Sequence, residues 1–265
     1  MINASTAVAS FLAAILLALA GTLLSRAKEI DLSLDAQCFF VAGLQDCLFR
    51  FMVPGVVAAG ISVAVLLLLL CVRIEFSRRF TVDSMIVSIG FGLMLLGGVF
   101  ALFFLSGFET QVPLYPRWVP FWSVACAAAG AICTVLLLDR YFAPSYRVAV
   151  SLRPLGGVPP RRPTFTCAVL PACILTALAG TLLATHAGSV TPGSSNSFGV
   201  LGSTAALMTY GRLSRALAAG ILLGTLYVLG ILAETTSLQD MLQSYVLPIL
   251  SLAIVALVAL FLGRA

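Results

Sequence analysis

The sequence predicts an all-α, polytopic integral membrane bundle, and three observations carry that reading. Of 265 residues, 61% are hydrophobic and only 9% are charged, and the mean hydropathy is +1.11. A water-soluble domain carries roughly a quarter of its residues charged to solvate its exterior. The apolar residues are gathered into runs long enough for helices that cross a bilayer, which takes about 20 residues each. Soluble enzymes and nucleic-acid binders are thereby excluded. The net charge of +5 comes from arginines scattered between apolar runs, which is the pattern of topology determinants and not of a phosphate-binding face.

Seven strong candidate spans lie at 6–24, 52–72, 83–108, 118–138, 164–185, 215–232 and 243–262. The first has no positive charge ahead of Phe11, as a secretory leader would, so it reads as a retained span. Two further segments, 36–49 and 198–211, are too short or too polar for comfortable spans. They read as tilted, broken or re-entrant pieces held against protein or a water-filled cavity. The whole chain, 1–265, reads as one transmembrane domain.

Orientation follows from the basic residues. The stretch 139–162 holds five arginines, Arg140, Arg147, Arg153, Arg161 and Arg162, against the single Asp139, so it is placed in the cytoplasm. That also places Arg73, Arg78 and Arg79 inside, two spans away, and if both weak segments cross, Arg26 with Lys28, Arg212 with Arg215, and Arg264 fall on that side as well. The N-terminus is then outside and the C-terminus cytoplasmic, in nine segments. Arg50 and Arg117 fall outside this rule, and Arg117 sits beside Tyr115, Trp118 and Trp122, an aromatic belt of the kind found at a membrane interface.

The seven cysteines form no C-x-x-C pair and mostly lie in apolar runs, where they act as small hydrophobes. Small residues also cluster between Ala125 and Ala131, and Gly220 and Gly224 form a G-x-x-x-G. Both allow close helix contact, and both read first as packing within the bundle. The single histidine, His186, lies at the end of a span, so neither a metal site of the H-E-x-x-H kind nor a serine triad can be assembled. No phosphate-binding loop precedes the only lysine, Lys28. No catalytic residue, metal ligand or cofactor is expected, and energy for any transport must come from elsewhere.

Acidic residues at membrane depth are candidates for function, because burying one in hydrocarbon costs at least about 2.5 kcal/mol. The candidates are Asp31, Asp35, Asp46 and Asp83. Asp31 and Asp35 are four apart and share a face if that stretch is helical. They read equally well as solvated residues of an interfacial loop. Asp83 beside Thr81 also reads as a helix-start acid.

Four landmarks, in order, carry a resemblance. Residues 24–37 read L-S-R-A-K-E-I-D-L-S-L-D-A-Q, residues 80–90 F-T-V-D-S-M-I-V-S-I-G, residues 178–192 L-A-G-T-L-L-A-T-H-A-G-S-V-T-P, and residues 205–224 A-A-L-M-T-Y-G-R-L-S-R-A-L-A-A-G-I-L-L-G. In polar and glycine punctuation the chain resembles the inner-membrane permeases of ABC importers. The likeness is to the branch that carries branched-chain amino acids, simple sugars, nucleosides and riboflavin-like solutes, and leans toward nucleosides or simple sugars.

The resemblance implies a permease in the bacterial cytoplasmic membrane. Its expected partners are a second permease subunit, ATP-binding cassette subunits, an extracytoplasmic substrate-binding protein and membrane lipids, with no nucleic acid. It places Asp31, Asp35 and Gln37 on polar positions of the first motif and Asp83 on the acid of the second, so these four are the expected pathway residues.

The chain departs from that pattern where the family carries a short helix that docks on the ATPase. Here the stretch reads A-V-S-L-R-P-L-G-G-V-P-P-R-R over 149–162. Its prolines and glycines oppose a helix, so residues 147–163 are predicted to be an irregular connection with at most one helical turn. Arg147, Arg153, Arg161 and Arg162 would face a partner or anionic lipid. The altered loop leaves a second reading open, a non-transporting anchoring or assembly subunit of a larger complex.

Overall fold

A computed structural model describes residues 4–26, 31–80, 84–105, 121–151, 168–187 and 212–233. Among them the fold is helical throughout, with seven α-helices and no strand: α1 (Ala4–Arg26), α2 (Leu34–Arg50), α3 (Gly55–Arg79), α4 (Ser84–Leu105), α5 (Phe121–Ser151), α6 (Leu170–Ala187) and α7 (Leu213–Ala233). Stretches of α1, α3 and α5, namely Val8–Arg26, Gly55–Ser77 and Phe121–Arg140, are long and apolar enough to cross a membrane. Shorter apolar stretches, Ile86–Leu102, Leu170–Leu183 and Leu213–Leu226, lie in α4, α6 and α7. The predicted segments at 198–211 and 243–262 lie outside the described residues.

Helix α1 is the interior pillar. Ala13, Leu16, Leu17, Ala18, Leu19 and Ala20 are fully buried, and its main neighbours are α7, α6 and α5. Against α7 the approach is set by glycine. A Cβ on Gly220 would stand 2.8 Å from the Cα of Ile15, and one on Gly224 would stand 2.8 Å from the Phe11 ring. The G-x-x-x-G therefore serves packing within the chain, as read from the sequence. The pairing of Phe11 with Gly224 and Ile15 with Gly220 also makes α1 and α7 antiparallel. On α5, Val124, Ala125, Ala128 and Ile132 turn inward.

Helix α2 packs chiefly on α4, α6 and α3. The segment expected to be tilted, broken or re-entrant is one unbroken helix of 17 residues. Its polar side chains Gln37, Gln45 and Asp46 are buried, so the protein interior receives what lipid would reject. A Cβ on Gly92 would meet Ser33 and one on Gly98 would meet Phe40, so α2 and α4 run parallel, side by side. The helix ends in a 6→1 and 5→2 pair of hydrogen bonds, Val53 N to Leu48 O at 3.1 Å and Met52 N to Phe49 O at 2.9 Å. Met52 sits at φ 60° in the position such caps usually give to glycine. Pro54, extended at φ −58° and ψ 140°, then starts α3.

The outside is apolar. Exposed residues include Val56, Ile61, Leu68, Val72 and Phe76 on α3, Ile86, Leu93, Met94 and Phe100 on α4, and Trp122, Leu137 and Leu138 on α5. A soluble monomer does not carry such a continuous apolar exterior, whereas lipid requires one. The hydroxyls of Thr22, Ser62, Thr134, Thr176, Thr181 and Thr225 each donate to the carbonyl four residues earlier at 2.7–2.9 Å. That satisfies them inside their own helix where no water is available.

The predicted irregular connection needs correction at its start. Helix α5 runs to Ser151, so Asp139 and Arg140 are helical, and so are Arg147 to Ser151. The only proline in that part, Pro144, removes one donor without ending the helix; the dense proline and glycine begin at Pro154. Residues 152–167, with Arg153, Arg161 and Arg162, lie outside the described residues.

Candidate functional site

The strongest polar assembly joins the start of α2 to the last turns of α3 and the first turns of α4. Asp31 precedes α2, and its Oδ1 accepts from the backbone N of Ser33 at 2.8 Å and from the Ser33 hydroxyl at 2.5 Å. An Asp bonding two residues ahead competes with helix formation, which is why the helix begins at Leu34. Asp31 and Asp35 therefore do not share a helix face, contrary to the condition set on them above. Asp35 lies in the first turn of α2, half-buried, where the N-terminal dipole favours an acid.

Asp31 Oδ2 accepts from Gln37 Nε2 at 2.7 Å and is ion-paired with Arg73 NH1 at 2.6 Å. The Arg73 and Asp31 side chains are 1% and 0% exposed. The Asp31 of the interfacial-loop alternative would have been solvated; it is instead enclosed by protein. Gln37 Nε2 also donates to the Ser33 hydroxyl at 2.9 Å. With both amide protons engaged, the amide orientation is fixed. Gln37 Oε1, fully buried, has no hydrogen-bond partner among the described residues. Above the cluster, the backbone N of Leu32 donates to Ser88 Oγ at 3.1 Å and ties the turn to α4.

The chemistry this permits is narrow. A carboxylate offers about four acceptor directions, and Asp31 meets three hydrogen bonds and a guanidinium. With these directions taken, it has little capacity left to act as a base or to ligate a metal. Among the described residues no three His, Cys, Asp or Glu side chains gather in a way that could hold a metal ion.

Of the pathway residues expected from the sequence, the fold brings Asp31 and Gln37 into one network. Asp83 lies outside the described residues. The side chain of Arg147 is likewise not described, although its backbone is helical. Arg73, Ser33 and Ser88 are the members that sequence reasoning missed. Arg73 had been read as a topology signal, yet it falls at helical spacing with the buried Leu66, Leu70 and Ser77, which marks it as inward-facing.

Two further polar contacts join other helices. On α2, Gln45 Nε2 donates to Thr181 Oγ1 of α6 at 2.9 Å, and Asp46 beside it is buried. At the end of α1, Arg26 holds Asp139 of α5 through NH1 to Oδ1 at 2.5 Å and NH2 to Oδ2 at 3.2 Å, a two-pronged fork of the strong kind. Cys38 and Cys173 are buried and donate weakly to the carbonyls of Thr176 and Val63. They are filler rather than chemistry. Comparisons of the chain with protein-family models, with curated proteins and with solved structures find no match.

Proposed function

We propose that the chain is a membrane-spanning permease subunit of an ABC importer. With a second permease subunit, identical or different, it would enclose the path of a nucleoside, riboflavin-like or sugar solute. The solute arrives from an extracytoplasmic binding protein, and ATP is hydrolysed on separate cassette subunits, giving alternating access with the energy supplied in trans. The observation that carries this reading is the convergence of Asp31 and Gln37. Both sit on polar positions of the resembled motif, and both are buried in a bundle whose exterior is apolar. Gln37 Oε1, an oriented acceptor enclosed in the bundle, would meet a solute hydroxyl or amide once the helices around it part; Asp35 and Asp83 complete the proposed pathway set.

The proposal includes seven strong spans and two short segments in the bacterial cytoplasmic membrane, with the N-terminus outside. The helix directions support it. Parallel α2 and α4, antiparallel α1 and α7, and the Arg26 to Asp139 fork gather Arg26, Arg73, Arg79, Arg140 and Arg212 at one end of the bundle, as a cytoplasmic face requires. A cysteine at Leu155 is then expected to be shielded from impermeant thiol reagents added to intact cells, and one at Ser194 to be labelled. The reverse pattern would invert the orientation.

The alternative, an anchoring or assembly subunit that does not transport, draws on the prolines and glycines from Pro154 onward, which spoil a docking helix. Purification from native membranes separates the two. Cassette ATPase chains that copurify in stoichiometric amount are the expected result, and their absence would favour the anchoring reading.

A further inference from the structure

The last turns of α3 carry apolar surface past the level at which lipid can cover it. The apolar stretch of the helix closes at Ser77, and Glu75, just before that point, is exposed. A carboxylate facing hydrocarbon is costly, so the level of Glu75 already belongs to the headgroups. Phe76 and Phe80 are 49% and 58% exposed, and Arg79 beside them is exposed as well. Their ring centroids lie 4.6 Å apart, and the backbone N of Phe80 donates to Phe76 O at 3.1 Å, so the last helical bond holds the two rings together. Phe80 stands about 10 Å beyond Arg73 along the axis, at a rise of roughly 1.5 Å per residue. Aromatic belts are built from Trp and Tyr, whose N–H or O–H meets water while the ring meets lipid. Phenylalanine has no such group. A fixed, exposed pair of them at this level calls for an apolar cup on a protein.

We propose that Phe76 and Phe80, rimmed by Arg79, are the seat of the cassette ATPase subunit, which receives the two rings in an apolar cup bordered by acidic side chains. The assignment rests on the importer reading above, which puts this end of the bundle in the cytoplasm. Charge supports it. Arg79, Arg140 and Arg212 are exposed at that end, and Glu75 is the one exposed acid among the described residues. The face is therefore basic and complements an acidic rim. The prolines and glycines from Pro154 onward oppose a docking helix there, whereas α3 presents a finished helix end. The same helix carries Arg73, ion-paired with Asp31, about a turn before Phe76. A partner seated on the rings thus bears directly on the helix that holds the buried cluster.

The test uses the full chain in its native cell, with the photoreactive amino acid benzoylphenylalanine in place of Phe80. Membranes are irradiated and the bonded product is identified by mass spectrometry. The expected product joins the chain to a protein that carries an ATP-binding cassette. Bonding to lipid alone, or to a second copy of this chain, would overturn the proposal. In parallel, Phe76→Ser with Phe80→Ser is purified from native membranes beside the parent. It is expected to retain roughly tenfold less cassette ATPase, the loss typical of removing an aromatic anchor, with an unchanged thermal midpoint in detergent. Both rings are exposed, so their loss costs the fold little. If the midpoint does fall, Arg79→Glu, which keeps the rings and reverses the rim charge, takes over the test, with a several-fold loss of ATPase expected. A stable variant that retains the parental amount of ATPase refutes the docking site and leaves the importer reading standing. A parent from which no cassette chain copurifies refutes the importer reading, and the docking site with it.

Discussion

Replacing Gly180 by leucine is expected to leave little stably folded chain. A Cβ at that position would stand 2.5 Å from Cys38 O and 3.2 Å from the Val41 Cβ. Since the nearer neighbour is backbone, no rotamer change relieves the clash, and α6 must back away from α2. That movement loosens the contact of Cys38 with Thr176 O and the hydrogen bond of Gln45 with Thr181. Overpacking a well-filled core costs about 1–3 kcal/mol per modest enlargement. Gly180→Ala should fall in that range, and Gly180→Leu should lie near the exceptional end, roughly 4–5 kcal/mol. Thermal unfolding of the purified chain in a fixed detergent reads this out. Gly130→Leu on the outer side of α5, where an added Cβ meets nothing within 4 Å, is the matched control. A Gly180→Leu chain with the midpoint of Gly130→Leu would show that α2 and α6 are not in the described contact.

Asp31→Asn is expected to weaken the assembled fold by about 3–5 kcal/mol, the usual consequence of leaving one member of a buried ion pair without its counter-charge. Asparagine keeps an acceptor for Ser33 but puts an NH2 where Oδ2 meets Gln37 and Arg73, so the loss combines the uncompensated guanidinium with one broken hydrogen bond. Adding Arg73→Gln should bring stability back to within about 1 kcal/mol of the parent, because two neutral amides bury together far more cheaply than one guanidinium alone. Chemical denaturation in mixed micelles measures both. If the double variant is as weak as the single one, the guanidinium answers to some group other than Asp31.

Six helices coincide with apolar runs that the sequence displays, since α1 and α3–α7 each need only enough hydrocarbon to match lipid or core. Helix α2 escaped that criterion for a physical reason. Hydropathy scores a segment against lipid, whereas α2 faces α3, α4 and α6. Asp31 and Gln37 were legible through the order of polar landmarks, but their geometry was not. Only the fold shows that Asp31 turns back on Ser33 and starts the helix instead of lying within it.

Arg73 escaped because charge counting treats every arginine near a span end alike. The distinction between Arg73, which is buried, and Glu75, which is exposed, lies in helical phase. Asp139 was counted as part of a loop because the arginine bias marks a cytoplasmic stretch without fixing where the helix before it ends.

The near-complete enclosure of Asp31 against Arg73 also has an electrical meaning. A single elementary charge carried across a membrane exchanges about 2.3 kcal/mol with the field for every 100 mV. Asp31 and Arg73 carry opposite charges only 2.6 Å apart, so a displacement that moves them together does almost no net work against the transmembrane potential. This pair therefore contributes almost nothing to the voltage sensitivity of a movement that carries α2 and α3 together. Any step that draws the two charges apart along the membrane normal produces a gating current, and the voltage dependence of the protein's motions would report directly whether the pair parts during its working cycle.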